Sequence, residues 1–149
     1  MKTLFDPSVK DDVVRRIGSL AAGSTRQWGK MQPAQMLAHC AIGLEAATGD
    51  TSRKQKLLGK LLGPFFRSAF LGEKPFGRNS PTDPAYVVSD ERSLDAERDR
   101  LLAQVDLFCR RGPDAVSRRV HVFFGRLTGE EWGVLQYKHL DHHLRQFGA

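Results

Sequence analysis

Three of the five histidines in this chain fall within KHLDHHLRQFG, residues 138–148. Imidazole carries protons near neutral pH and is the commonest side-chain ligand for a transition metal, so its chemistry depends on which rings share a face. Successive residues of an α-helix turn by about 100°, which puts His139 and His143, at i and i+4, about 40° apart. Trp132, Gln136 and Gln146 lie on that side, whereas Lys138, Asp141 and Arg145 lie opposite. His142 falls at the edge of the face, toward Lys138, and is read as a supporting or solvent-facing residue rather than a ligand.

A further candidate stands in MQPAQMLAHC. A helical wheel centred on His39 collects Gln32, Met36, Gly43, Ala46 and Ala47, so His39 faces inward and Gly43 leaves space one turn away. Burying an imidazole without a partner costs on the order of 1–3 kcal/mol. A divalent cation held by His39, His139 and His143 satisfies all three rings together; hydrogen bonds to Gln32, Gln136 or Gln146 are the ordinary alternative. The HxxxH pair joined by a third inward histidine favours the metal. Three imidazoles leave a fourth position for water or substrate, the arrangement of a catalytic site, and imidazole alone does not choose among zinc, nickel, copper and iron. Related motifs do not fit. HExxH needs Glu where Leu140 stands, HHxxxDG needs Asp where Phe147 stands, and HxDH at 139–142 lacks its earlier histidine. Cys40, adjacent to His39, points about 100° away, which makes an exogenous thiol the more economical nucleophile.

The elements that must position these rings are helical. Asp6 before Pro7 starts a helix over 7–20, and Gln32-Pro33 opens a second, Pro33–Thr48, ended by Gly49. A third spans 94–111 and stops at Gly112-Pro113. Thr128 with Glu131 forms a capping box for a last helix to residue 147. The expected fold is all-α: one domain over 1–149, a four-helix bundle with a long crossover between helices two and three. VHVFF is a short β-like segment or the lead-in to the last helix, and His121 within it is a loop residue or lines a pocket near the bundle mouth. Residues 54–70 of the crossover combine lysines with leucines and phenylalanines, which could dock on an anionic membrane; packing over one end of the bundle, or a dimer surface, is preferred.

At 149 residues and 40% hydrophobic, the chain suffices for a single core. The net charge of +6 comes without a dense basic tail, so nucleic acid is not an expected partner. MKTLFDPSVKDD contains no apolar run before Asp11 and Asp12, which leads to the expectation of a cytoplasmic protein without a membrane anchor. Cys40 and Cys109 form no CxxC and read as reduced, buried thiols.

The inward histidine of MQPAQMLAHC and the HxxxH of KHLDHHLRQFG resemble the DinB/YfiT-like superfamily of metalloenzymes. WGKMQPAQMLAHC, the central KPF…PTDP loop and FGRLTGEEWG…YKHLDHHLRQFG are similar to a branch of that superfamily of unknown function, over nearly the whole chain. The resemblance implies a four-helix bundle binding a divalent metal, often zinc or nickel, through three histidines that match His39, His139 and His143. Characterised members of the superfamily include thiol-dependent transferases and a maleylpyruvate isomerase, which use low-molecular-weight thiols whose pKa the metal lowers. The doublet His142-His143 departs from the pattern and leaves the ligand register open by one residue. The expected activity is that of a metal-dependent enzyme on a small-molecule substrate, a transferase or hydrolase, with a thiol S-transferase as the specific candidate. The alternative is a non-catalytic bundle with a vestigial site, serving as a homodimeric interaction or carrier protein.

Overall fold

The computed structural model describes residues 1–49, 54–80 and 82–149. Residues 50–53, at the start of the expected crossover, and Pro81 of its PTDP motif lie outside the described residues. Among the described residues the chain is all-α apart from one small hairpin. Helix α1 (Pro7–Ser19) begins where the Asp6 carboxylate accepts from the Ser8 amide at 2.9 Å, with Pro7 in the first turn. Helix α2 (Pro33–Thr48) follows, its entry closed by Gln35 Oε1 accepting from the Gln32 amide at 2.9 Å.

Helix α3 (Leu57–Leu71) occupies the lysine-rich stretch of the crossover, and a single 3-10 turn at Pro84–Tyr86 precedes α4 (Leu94–Ser117). The expected stop at Gly112-Pro113 is a kink instead. Gly112 adopts φ 72°, the left-handed region that a residue without Cβ reaches freely, and helical turns resume as far as Ser117. Of VHVFF, only Val120 and His121 pair as a strand, opposite Arg126 and Gly125. Helix α5 (Gly129–Gln146) starts at a complete capping box: Thr128 Oγ1 accepts from the Glu131 amide at 3.1 Å, and Glu131 Oε2 accepts from the Thr128 amide at 2.8 Å.

Helices α2, α4 and α5 pack on one another, and α1 packs on α4 and α5. Val13 and Ile17 of α1, Leu37 and Leu44 of α2, Val105 and Phe108 of α4, and Leu140 and Leu144 of α5 lie in one core. Helix α3 behaves differently. It lies against α5 and, through its glycines, against the hairpin: a Cβ on Gly59 would sit 2.5 Å from the Phe123 carbonyl oxygen, and one on Gly63 would sit 2.8 Å from it. That close approach turns the apolar face outward, with Leu57, Leu61 and Phe65 exposed at 83%, 68% and 78%. Of the preferred reading, packing over one end of the bundle or a dimer surface, the packing is made by the glycines and by the contact of α3 with α5, while the large apolar residues point outward. Among the described residues, no helix is long and apolar enough to cross a membrane.

Candidate metal centre

His39, in the middle of α2, is held from the far side of the crossover. Its Nδ1–H donates to the Tyr86 carbonyl at 2.8 Å, and the turn carrying Tyr86 is closed by Asp83, whose carboxylate accepts from the Ala85 amide at 3.0 Å. Because a carbonyl only accepts, the proton of neutral His39 sits on Nδ1 and its Nε2 carries a lone pair. That Nε2 lies 2.9 Å from Nε2 of His139, on α5.

His143, one turn after His139, shows the same logic. Its Nδ1–H donates to Gln146 Oε1 at 2.9 Å, and the amide of Gln146 donates in turn to the Trp28 carbonyl at 2.7 Å, which fixes which end of the amide meets the ring. The His143 Nε2 has no hydrogen-bond partner among the described residues. The residue after Trp28 is Gly29, at φ 78°, where any Cβ would run into the Gln146 amide. This turn therefore needs glycine for both its backbone and its side-chain space.

The three rings form a near-equilateral group, with centroids 4.9 Å apart for His39 and His139, 4.7 Å for His39 and His143, and 4.9 Å for His139 and His143. One ligand nitrogen from each lies within 4.8 Å of the others. Nitrogens bonded to one zinc at about 2.0–2.1 Å stand no more than about 4 Å apart, so a small ring rotation closes the set around an ion. Residues and group fit: the donors are all imidazole, and two rings are oriented through their other nitrogen as metal-ligating histidines commonly are. Burial lowers the pKa of His39; it pushes His143 down to about 3, helped by the neighbouring His39; and it holds His139 well below its usual range, with His143 and His39 adding to the effect. All three are neutral at pH 7, the form that ligates.

The other sequence-derived candidates divide. Gln146 touches the cluster directly. Gln136, buried on the same face of α5, reaches the Gly43 carbonyl with its amide at 3.4 Å while its Oε1 has no partner among the described residues. Trp132 lies one turn further from the rings, in the core against His121. His121 is no ligand: its Nδ1 accepts from the Phe123 and Phe124 amides at 3.2 and 3.1 Å. His142 stands outside the cluster, its ring 5.0 Å from that of His143 and flanked by Trp28 and Phe76. Gln32 is corrected: as the residue before the first turn of α2 it is exposed and does not join the rings. Tyr86 and Trp28 escaped sequence reasoning because both act through backbone carbonyls, which no side-chain pattern marks.

A family model described as protein of unknown function (DUF1569) matches residues 5–149. The chain belongs to that family. No curated protein and no solved structure matches it. The DUF1569 match runs from before α1 to the end of α5, so the segments that build the histidine cluster all lie within it.

The chain supplies no reactive thiol beside the rings. In this DUF1569 protein Cys40 is buried with its sulfur 3.7 Å from that of Met36, and Cys109 donates to the Leu4 carbonyl at 3.2 Å. Burial pushes both thiols up, away from the thiolate form that attacks.

Proposed function

We propose that the protein is a divalent-metal-dependent enzyme of the DinB-like type. In this reading α1, α2, α4 and α5 are a four-helix bundle with α3 in its crossover, and His39, His139 and His143 hold one zinc or nickel ion. The observation that carries the reading is the pair of second-nitrogen hydrogen bonds, His39 to Tyr86 and His143 to Gln146, which leave lone pairs converging on His139. A three-imidazole centre supplies Lewis acidity at an open position, where a bound thiol or water becomes a nucleophile at neutral pH.

The residues of the chain do the remaining work. The Tyr86 carbonyl and the Gln146 amide hold the two rings in the ligating tautomer, and burial keeps them unprotonated. With Cys40 and Cys109 committed to packing, the nucleophile comes from solution, which makes a low-molecular-weight thiol the preferred co-substrate and S-transfer the preferred reaction class.

Elemental analysis of protein purified without an immobilised-metal column tests this first. About one zinc or nickel ion per chain is expected, lost on substitution of any of the three histidines. Less than about a tenth of an ion, with no uptake from added zinc or nickel, would sink the metalloenzyme and leave the non-catalytic bundle as the surviving reading.

A further inference from the structure

Beside the histidine cluster a groove of about 790 Å³ opens between α5, the segment after α3 and the turn that carries Trp28. Its size is that of a small-molecule site. His142 forms part of its wall, with ring centroids 5.5 Å from Trp28 and 6.0 Å from Phe76 on one side and 5.0 Å from His143 on the other. A molecule in the groove therefore lies one imidazole away from the ring group.

The charge of the groove is unbalanced. Arg78 lays its guanidinium over the Trp28 ring at 4.4 Å and has no ion-pair partner among the described residues. Lys138 sits over Phe76 at 5.0 Å, and its ammonium is held by the Gly72 carbonyl at 2.6 Å. Both cations are thus fixed by neutral groups, rings and carbonyls, which orient a positive charge without cancelling it. Of the carboxylates that reach the groove, Asp141 is already bound by Arg16 at 2.9 Å and by Arg145 at 3.6 Å, leaving Glu73 against Arg78, Lys138 and Lys2.

We infer that this groove binds a small organic anion, its carboxylate or phosphate attracted by Arg78 and Lys138 and its planar or apolar body lying against Trp28 and Phe76. This deepens the enzyme reading and rests on it only for calling the anion a substrate or co-substrate; the binding itself does not require the metal. Fixed cations recognise the charge, the rings recognise the body, and His142 sets the distance to the metal centre.

The test uses the full chain, metal-free and zinc-loaded, with benzoate, phenyl phosphate and uncharged benzamide as probes and the Trp28 indole N–H resonance as the readout. Benzoate or phenyl phosphate shifts that resonance saturably in both forms, and benzamide does not. Arg78→Gln and Lys138→Gln, which remove charge but keep hydrogen-bond donors, each weaken the anion by at least about fivefold with zinc stoichiometry unchanged. Equal binding of benzamide, no saturable shift, or binding confined to the zinc-loaded form and indifferent to both substitutions overturns the inference. Zinc is measured on the same samples. Protein that binds benzoate but no zinc removes the metal reading alone, and protein that binds zinc but no anion removes the groove alone.

Discussion

The Nε2 atoms of His39 and His139 face each other at 2.9 Å, across the interface of α2 and α5. Since His39 gives its Nδ1 proton to the Tyr86 carbonyl, the hydrogen bond between the rings requires the proton on His139 Nε2 when no cation is present. The same two atoms are the natural first ligands of an ion, so the metal-free contact and the metal site compete for one pair of lone-pair directions.

The ligand register follows from which neighbour completes this pair. His143 faces the cluster, whereas His142 turns to Trp28 and Phe76. His39→Ala, His139→Ala and His143→Ala are expected to abolish zinc binding, and His142→Ala to weaken it by no more than about 10- to 100-fold, as changes beyond the ligands do. Chelator competition gives the order; a reversed order for residues 142 and 143 would rule out His143 as ligand.

In the proposed site Gln146 would act on the metal through His143. Gln146→Leu removes the acceptor that holds the Nδ1 proton and strands the Trp28 carbonyl. Zinc affinity should fall by about 10- to 100-fold and stability by about 1–3 kcal/mol. Unchanged affinity in the folded variant would mean that His143 is oriented by packing alone.

Acid should destabilise the metal-free protein before its carboxylates titrate. Burial lowers His121 from 6.5 to about 4, so between these values the unfolded chain binds the extra proton. The sign is then fixed: the contribution is complete above the unfolded value and declines as pH falls toward the folded one, by about 2 kcal/mol at about pH 5. His121→Asn keeps an acceptor for the Phe123 and Phe124 amides but has no such proton equilibrium. Urea unfolding at two pH values should show a shallower acid loss in that variant; an identical loss would place the effect elsewhere.

How much of this was legible depended on whether a residue acts through its side chain. His139 and His143 were readable from spacing, and Asp6-Pro7 and Thr128…Glu131 from cap chemistry, because each is a local rule of the helix. Tyr86 lies 47 residues from His39 and contributes only a carbonyl, so it became visible only when the crossover was seen to fold back. Gln32 shares a helical face with His39, but a wheel carries no information about where along that face the partner helix ends. In α3 the periodicity locates an apolar face without saying whether the fold covers it, and Gly59 and Gly63 dock against the Phe123 backbone while that face stays outward.

That docking makes the outward face of α3 dispensable for the fold. Leu57→Gln, Leu61→Gln and Phe65→Gln should each change unfolding free energy by no more than about 0.5 kcal/mol, while Gly63→Val, meeting the Phe123 carbonyl, should cost several times more. The triple glutamine variant should also bind less of an apolar-surface dye. A large loss of stability in the glutamine variants would show that these side chains are covered in solution.

Gly43 offers the sharpest test of the cluster, because its lack of a side chain is used by His139. A Cβ there would lie 3.1 Å from Cε1 and 3.2 Å from Nδ1 of that ring, so the ring must give by a few tenths of an ångström. Replacing glycine by alanine within a helix ordinarily favours the helix by about 1 kcal/mol, which offsets a small steric cost. Gly43→Ala should therefore leave stability nearly unchanged yet lower zinc affinity, and Gly43→Leu should abolish binding while the far-ultraviolet dichroism stays helical. Gly18→Ala, in α1 where nothing lies within 4 Å of the new Cβ, is the control and should leave zinc binding as it is. If Gly43→Leu binds zinc as tightly as the parent, His139 is not held where this site requires it.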